Sequence, residues 1–226
     1  MNVSLYFRPC PMLYPEFKSY LEGLPNPGKV NVIVSRFNEY FRYSEEDGPQ
    51  PTFDLRVEYD HKGEEVKERF KVEIRRVVEY NLEDFFITDM QFTREHPVLW
   101  AYNDLHGSLY FSGTIAEPEK AWEELQEAHE QLFRGLKPLA GYINRGKAGL
   151  EVLRAHSGLL ANGPIGLLEV YAGVFHGHAV RTSIIGGGVR TFWDGDADVP
   201  YESLDMLILN RTYVVGQEFN FEKVAY

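Results

Sequence analysis

The chain has 226 residues, 44% apolar and 25% charged, with 34 Asp+Glu against 23 Lys+Arg for a net charge of −11. That length buries a core without staples, and the balance of apolar to charged residues argues against disorder. The acidity disfavours nucleic acid and anionic membrane as partners, and a single cysteine, Cys10, excludes an internal disulfide or a multi-cysteine metal site.

Val3, Leu5 and Phe7 alternate with polar neighbours, which predicts a strand over 2–8 before Pro9, Pro11 and Pro15 force a turn-rich connection. Residues 15–22 predict a short helix ending at Gly23, and the PNPG at 25–28 a turn leading into the apolar run at 30–34. Residues 35–43 fit helical spacing through Phe37, Tyr40 and Phe41, but their aromatic content favours a continued strand, with a solvated loop at 44–51.

The clearest hairpin follows. Phe53, Leu55, Val57 and Tyr59 alternate with charged residues, a turn falls at Lys62-Gly63, and Val66, Phe70, Val72 and Ile74 point inward on the return. Acids on the first outward face match Lys67, Arg69, Lys71 and Arg75 on the second, a pattern expected of cross-strand pairing rather than of a binding patch. Residues 81–97 carry no clear period. Val98–Tyr102 and Leu105–Thr114 read as strands joined at Asn103-Asp104.

Residues 117–136 predict the central helix. Trp122, Leu125, His129, Leu132, Phe133 and Leu136 recur at three- and four-residue steps, while Glu123, Glu124, Glu127 and Glu130 point away. Pro118 suits the first turn, and Gly135 and Pro138 stop the helix. Beyond it, Leu150 to Leu160 predict a helix over roughly 147–161, and a second starts after Asn162-Gly163-Pro164 with Ile165, Leu168, Ala172 and Phe175 on one face and Gly177 as cap. Strands at 180–185 and 189–193 flank Gly186-Gly187-Gly188. Residues 204–209 and 212–215 form a hairpin around Asn210-Arg211, and Phe219 and Phe221 alternate into the C-terminus. The expected fold is α+β, mostly antiparallel sheet with the helix at 117–136 and two further helices in the C-terminal half. A single domain over 1–226 is expected, with 1–116 as a β-rich lobe and 117–226 as an α+β lobe.

Few motifs point to chemistry. Gly141 to Ala148 has the spacing of a phosphate-binding loop, but Ala148 replaces the hydroxyl that would hold magnesium. Asp194, Asp196 and Asp198 alternate as in a calcium loop, yet Val199 stands where that loop needs glycine. His176 and His178 lack a third ligand of readable spacing and are expected at a helix end, where imidazolium is favoured. His129 is expected as a satisfied core residue, and His156-Ser157 lacks the glycine frame of a nucleophile elbow. Cys10 has no neighbour that would lower its pKa. No catalytic residue, metal site or cofactor is expected.

Two acidic surfaces remain as partner-binding candidates. One is Glu123, Glu124, Glu127 and Glu130; the other is Trp193 with Asp194, Asp196 and Asp198, where an indole beside charge is a common hot-spot composition. In the opening MNVSLYFRP, the acidic face Glu123–Glu130 and the WDGDAD at 193–198, the chain resembles the immunity proteins of bacterial polymorphic-toxin systems. That resemblance implies a cytoplasmic inhibitor that neutralises a cognate basic toxin, for example a nuclease, by direct binding. Acids imitate phosphate spacing there and gain on-rate from steering. No functional residue is carried over from it. The lack of a spanning apolar run or leader-like start agrees with a cytoplasmic location. The alternative is an enzyme or small-molecule-binding domain with a site in the Gly-rich C-terminal half.

Overall fold

The computed structural model describes residues 12–44, 48–81, 83, 90–144, 149–193, 197–201 and 204–224. The fold is α+β with antiparallel sheets. Residues 12–93 contribute β1 (Met12–Leu13), α1 (Tyr14–Glu22), β2 (Asn31–Ser44), β3 (Gly48–His61), β4 (Glu64–Arg75), β5 (Glu79–Asn81) and β6 (Met90–Thr93). Residues 94–204 contribute α2 (Pro97–Asn103), β7 (Leu105–Ser112), α3 (Pro118–Phe133), α4 (Gly149–Leu153), β8 (Ser157–Pro164), α5 (Ile165–Phe175), β9 (Arg181–Val189), β10 (Thr191–Trp193) and β11 (Asp198–Pro200). The chain then adds β12 (Asp205–Leu209), β13 (Thr212–Gly216) and β14 (Glu218–Val224). Two compact units result, 1–93 with 205–226 and 94–204. The last three strands return to sheets begun by the first ninety residues, which no local pattern announces.

The first unit holds a five-stranded sheet, β1-β14-β4-β3-β2, and a four-stranded sheet, β5-β13-β12-β6. Phe53, Leu55, Val57, Phe70, Val72 and Ile74 are fully buried, as their alternation requires, and Leu207, Leu209 and Val214 of the second sheet join the same core. The β3–β4 turn takes left-handed φ at both Lys62 (58°) and Gly63 (85°), the geometry whose twist matches the flanking strands. α1 lies against this core. Its Phe17 stacks on Phe221 at 4.2 Å and meets Phe70 edge-on at 5.1 Å, and burying such a ring contributes about 1.5–3 kcal/mol. Glu16 reaches back to accept from the Leu13 N–H at 3.0 Å, closing the helix start.

The second unit is layered. Its sheet, β8-β7-β9, carries α5, and α5 carries α3. α5 reads IGLLEVYAGVF, with one charge in eleven residues, and so is covered on more than one side: Leu167, Leu168, Tyr171 and Phe175 are buried. α3 is amphipathic and lies outermost, burying Ala121, Leu125, His129 and Phe133. It ends at Phe133 rather than at 136, because Arg134 (φ 49°) and Gly135 (φ 82°) both turn left-handed. Leu136 is buried all the same, and Trp122 and Leu132 are half-buried.

Several sequence expectations are corrected. Residues 98–102 are helix, not strand: Pro97 fits the first turn and the His96 ring Nδ1 accepts from the Val98 N–H at 3.2 Å, so α2 is capped before its apolar residues begin. The helix expected over 147–161 stops at Leu153, and Ser157–Pro164 pair with β7 instead. There the ladder outweighs the leucine spacing, and a register shift between Leu109 and Tyr110 lets both Leu160 and Ala161 be buried. Residues 48–51, expected in a loop, belong to β3. Ala179 (φ 55°), not Gly177, takes the left-handed position after α5. The strand expected at 2–8, with Cys10, lies outside the described residues.

Candidate functional site

The outward face of α3 is the first candidate. Glu123, Glu127 and Glu130 are exposed and make no ion pair among the described residues. At 1.5 Å per residue they form a row about 10 Å long on one side of the helix. Glu124 departs from the expectation of a free acid. Its Oε2 lies 2.7 Å from Nε2 of His178, whose side chain is only 8% exposed, so it ties α3 to the turn after α5. At the start of the helix Glu119 meets Arg154 at 2.7 Å, a bond that lowers the Glu119 pKa, and Glu117 lies 3.9 Å from Lys120. The uncompensated charge is thus concentrated at 123, 127 and 130.

The first unit treats its acids differently. On the outward face of β3 and β4, Glu58 pairs with Arg56 and Lys67, Asp54 with Arg69, and Glu73 with Lys71. The register sets Asp54 opposite Lys71 and Glu58 opposite Lys67, which makes the face a self-neutralising ladder rather than a binding patch.

The second candidate sits on the β10–β11 ribbon. Trp193 is the last residue of β10 and pairs in register with Asp198, which is exposed; Asp194 and Asp196 lie outside the described residues. The base of the ribbon is held by aromatic contacts. Tyr201 meets Tyr102 of α2 edge-on at 5.0 Å and Phe192 at 5.0 Å, and the Arg190 guanidinium lies 5.0 Å from the Tyr102 ring centre. Sequence patterning does not show this support, because Tyr102 and Tyr201 lie far apart in the chain and Tyr102 is on a helix rather than the expected strand. Glu123, Glu127, Glu130 and Asp198 therefore stand on separate elements, α3 and the ribbon.

Two further histidines have structural partners. His129 is buried: its Nδ1 accepts from the Tyr171 hydroxyl at 2.7 Å and its Nε2–H donates to the Lys137 carbonyl at 2.7 Å. Burial lowers the His129 pKa against the raising effect of that carbonyl, and burial raises the Tyr171 phenol. This neutral pair locks α3 to α5. His156 accepts or donates with Thr114 Oγ1 at 2.8 Å. Among the described residues no group of three His, Cys, Asp or Glu is placed to hold a metal.

The glycines of β9 have a backbone explanation. A Cβ at Gly187 would lie 2.9 Å from the His106 carbonyl oxygen, and one at Gly107 would lie 2.8 Å from that of Ile185. The pairing of β7 with β9 shifts register between Leu105 and Gly107, so the glycine run accommodates a bulge. For the phosphate-loop spacing, residues 145–148 fall outside the described chain.

Comparison of the chain with protein-family models, with curated proteins and with solved structures finds no match. Among the described residues no helix is long and apolar enough to cross a membrane.

Proposed function

We propose that the protein is an acidic binding protein that neutralises a cognate basic protein, a toxin such as a nuclease, by direct contact in the bacterial cytoplasm. The observation that supports this reading is the row Glu123, Glu127 and Glu130: three exposed carboxylates on one face of one helix, without an ion pair among the described residues, whereas the acids on the outward face of β3 and β4 are paired. Such a row offers Lys and Arg side chains a preformed set of acceptors, and the net charge of −11 steers a basic partner towards it. The ribbon with Trp193 and Asp198 is the second surface for the same partner.

The test uses the wild-type protein and Glu123→Lys/Glu127→Lys/Glu130→Lys as baits in the native host's lysate at low salt. The protein captured by wild type is then purified and titrated against both across a salt series. The reading expects charge reversal to weaken association by at least about tenfold at low salt and to flatten the salt dependence. Equal affinity for both baits would remove α3 from the interface. Asp198→Lys applies the same criterion to the ribbon.

A further inference from the structure

The two edges of the β8-β7-β9 sheet are treated unequally. Along β8 the edge is closed by a crossing segment: Ile143 bridges to Ala161, the Asn144 N–H donates to the Leu160 carbonyl at 2.9 Å, the Asn162 N–H donates to the Tyr142 carbonyl at 2.9 Å, and the Asn144 side chain reaches the Leu159 carbonyl. Along β9 no strand pairs on the far side among the described residues. Arg181, Ser183 and Ile185 are exposed there, Ile185 by 60%.

An open edge is a row of backbone donors and acceptors ready to pair, and proteins ordinarily guard it with lysine, proline or a bulge. In β9 the bulge comes only after Ile185, through Gly186 to Gly188, and the flat part before it, Arg181-Thr182-Ser183-Ile184-Ile185, has neither lysine nor proline. The charge pattern is equally selective. Between Glu169 and Asp194 the chain has no acid, the longest such gap among its 34 acids, ahead of the one between Glu130 and Glu151. Two copies carrying −11 each repel wherever acid faces acid, and this edge presents no acid.

We propose that β9 is the pairing edge of a homodimer, in which two copies join antiparallel about a two-fold axis at Ser183. That register is self-complementary. Ser183 faces Ser183 of the second copy, Thr182 faces Ile184, and Arg181 faces Ile185, so β-branched residues pair, the arginine stem covers the exposed isoleucine and no like charges are opposed. Because Ser183 neighbours Tyr110 and Tyr110 neighbours Leu159, the joined sheet carries a continuous row of Leu159, Tyr110 and Ser183 from each copy on its open face. The glycine bulge lies just outside the paired residues and ends the ladder. Five residues a side bury less than the roughly 1,200 Å² typical of stable complexes, so the dimer is weak and concentration-dependent.

Sedimentation equilibrium from about 10 μM to about 1 mM tests this, a range that brackets weak association. Wild type is expected to pass from monomer to dimer. Ile185→Lys, which guards the edge at an exposed position, is expected to stay monomeric with an unchanged circular dichroism spectrum. In a Cys10→Ser background, Ser183→Cys is expected to form a disulfide dimer on mild oxidation, several-fold faster than Ser157→Cys, equally exposed at the start of the opposite edge strand. A wild type that stays monomeric throughout, a dimer that survives Ile185→Lys, or equal cross-linking at 183 and 157 would each overturn the proposal.

Discussion

Replacing Glu68 by Gln probes how the first unit ends its core. Glu68 lies on the core-facing side of β4, its side chain 13% exposed. Its carboxylate accepts from the Tyr20 hydroxyl, from the Tyr59 hydroxyl at 3.1 Å and from Lys223 Nζ at 2.6 Å, joining α1, β3 and β14. Burial alone would raise the Glu68 pKa, but the bonds from Lys223 and the two tyrosines outweigh it and hold the group below the usual carboxylate range. A glutamine keeps the shape. Its carbonyl can face Tyr59 and Lys223, and the Tyr20 hydroxyl can turn to accept from its amide, so what is lost is the charge-assisted part of three bonds. Hydrogen bonds to charged groups are worth about 1.5–3 kcal/mol and neutral ones about 1, while the Lys223 share is screened because that side chain is 46% exposed. The expected cost is about 1–2 kcal/mol at pH 7.

The sign with pH follows from the same shift. A depressed folded-state value means that the unfolded chain binds the proton first, so the stabilisation is full above the unfolded value of roughly 4.3 and is lost as pH falls through the folded one. Wild type and variant should therefore begin to converge as pH falls below about 4.3 and meet once it has passed the depressed folded value. Native-state hydrogen exchange of the β4 and β14 amides measures the gap in this unit alone. Equal protection at pH 7, or a gap unchanged at pH 3, would refute the reasoning.

Two further substitutions probe the second unit. Tyr171→Phe leaves Nδ1 of buried His129 without its donor and should cost about 1–3 kcal/mol in chemical denaturation. The depressed His129 value makes wild-type stability fall as pH drops below roughly 6.5, and because the tyrosine donates to a lone pair that only the neutral ring has, the variant should show a shallower fall; a steeper one would contradict this account. Gly149→Ala sets a methyl group into the Trp122 ring, which must move, and should cost about 1–3 kcal/mol with a shifted tryptophan emission; unchanged emission and stability would show that the α3–α4 contact is looser than described.

Much of the fold was legible wherever a residue's own neighbours decide its state. The alternation in β3 and β4, the turn at Lys62-Gly63 and the amphipathic period of α3 are local patterns, and each is found where it was expected. Two of the misreadings share a cause. Val98–Tyr102 and Leu159–Leu160 are short apolar runs whose period fits helix or strand, and the decision came from outside them, from the His96-Pro97 start in one case and the β7 ladder in the other. The candidate site divides the same way. The exposed row Glu123, Glu127 and Glu130 follows from helical spacing, but the capture of Glu124 by His178 joins residues 54 apart in sequence, and the rings that hold the ribbon join Tyr102 to Tyr201.

Composition and local periodicity by themselves determined an acidic α+β chain with one helix bearing a carboxylate face, because charge count, turn chemistry and side-chain period are properties of neighbouring residues. Only the tertiary structure decided which acids stay uncompensated, which sheet edge is left open and where the chain divides. Those outcomes depend on long-range pairing, in which β12 to β14 return to the first sheets and a crossing segment closes β8 but, among the described residues, nothing closes β9. A sequence period fixes which face of a strand turns inward; it carries no information about which strand will lie beside it.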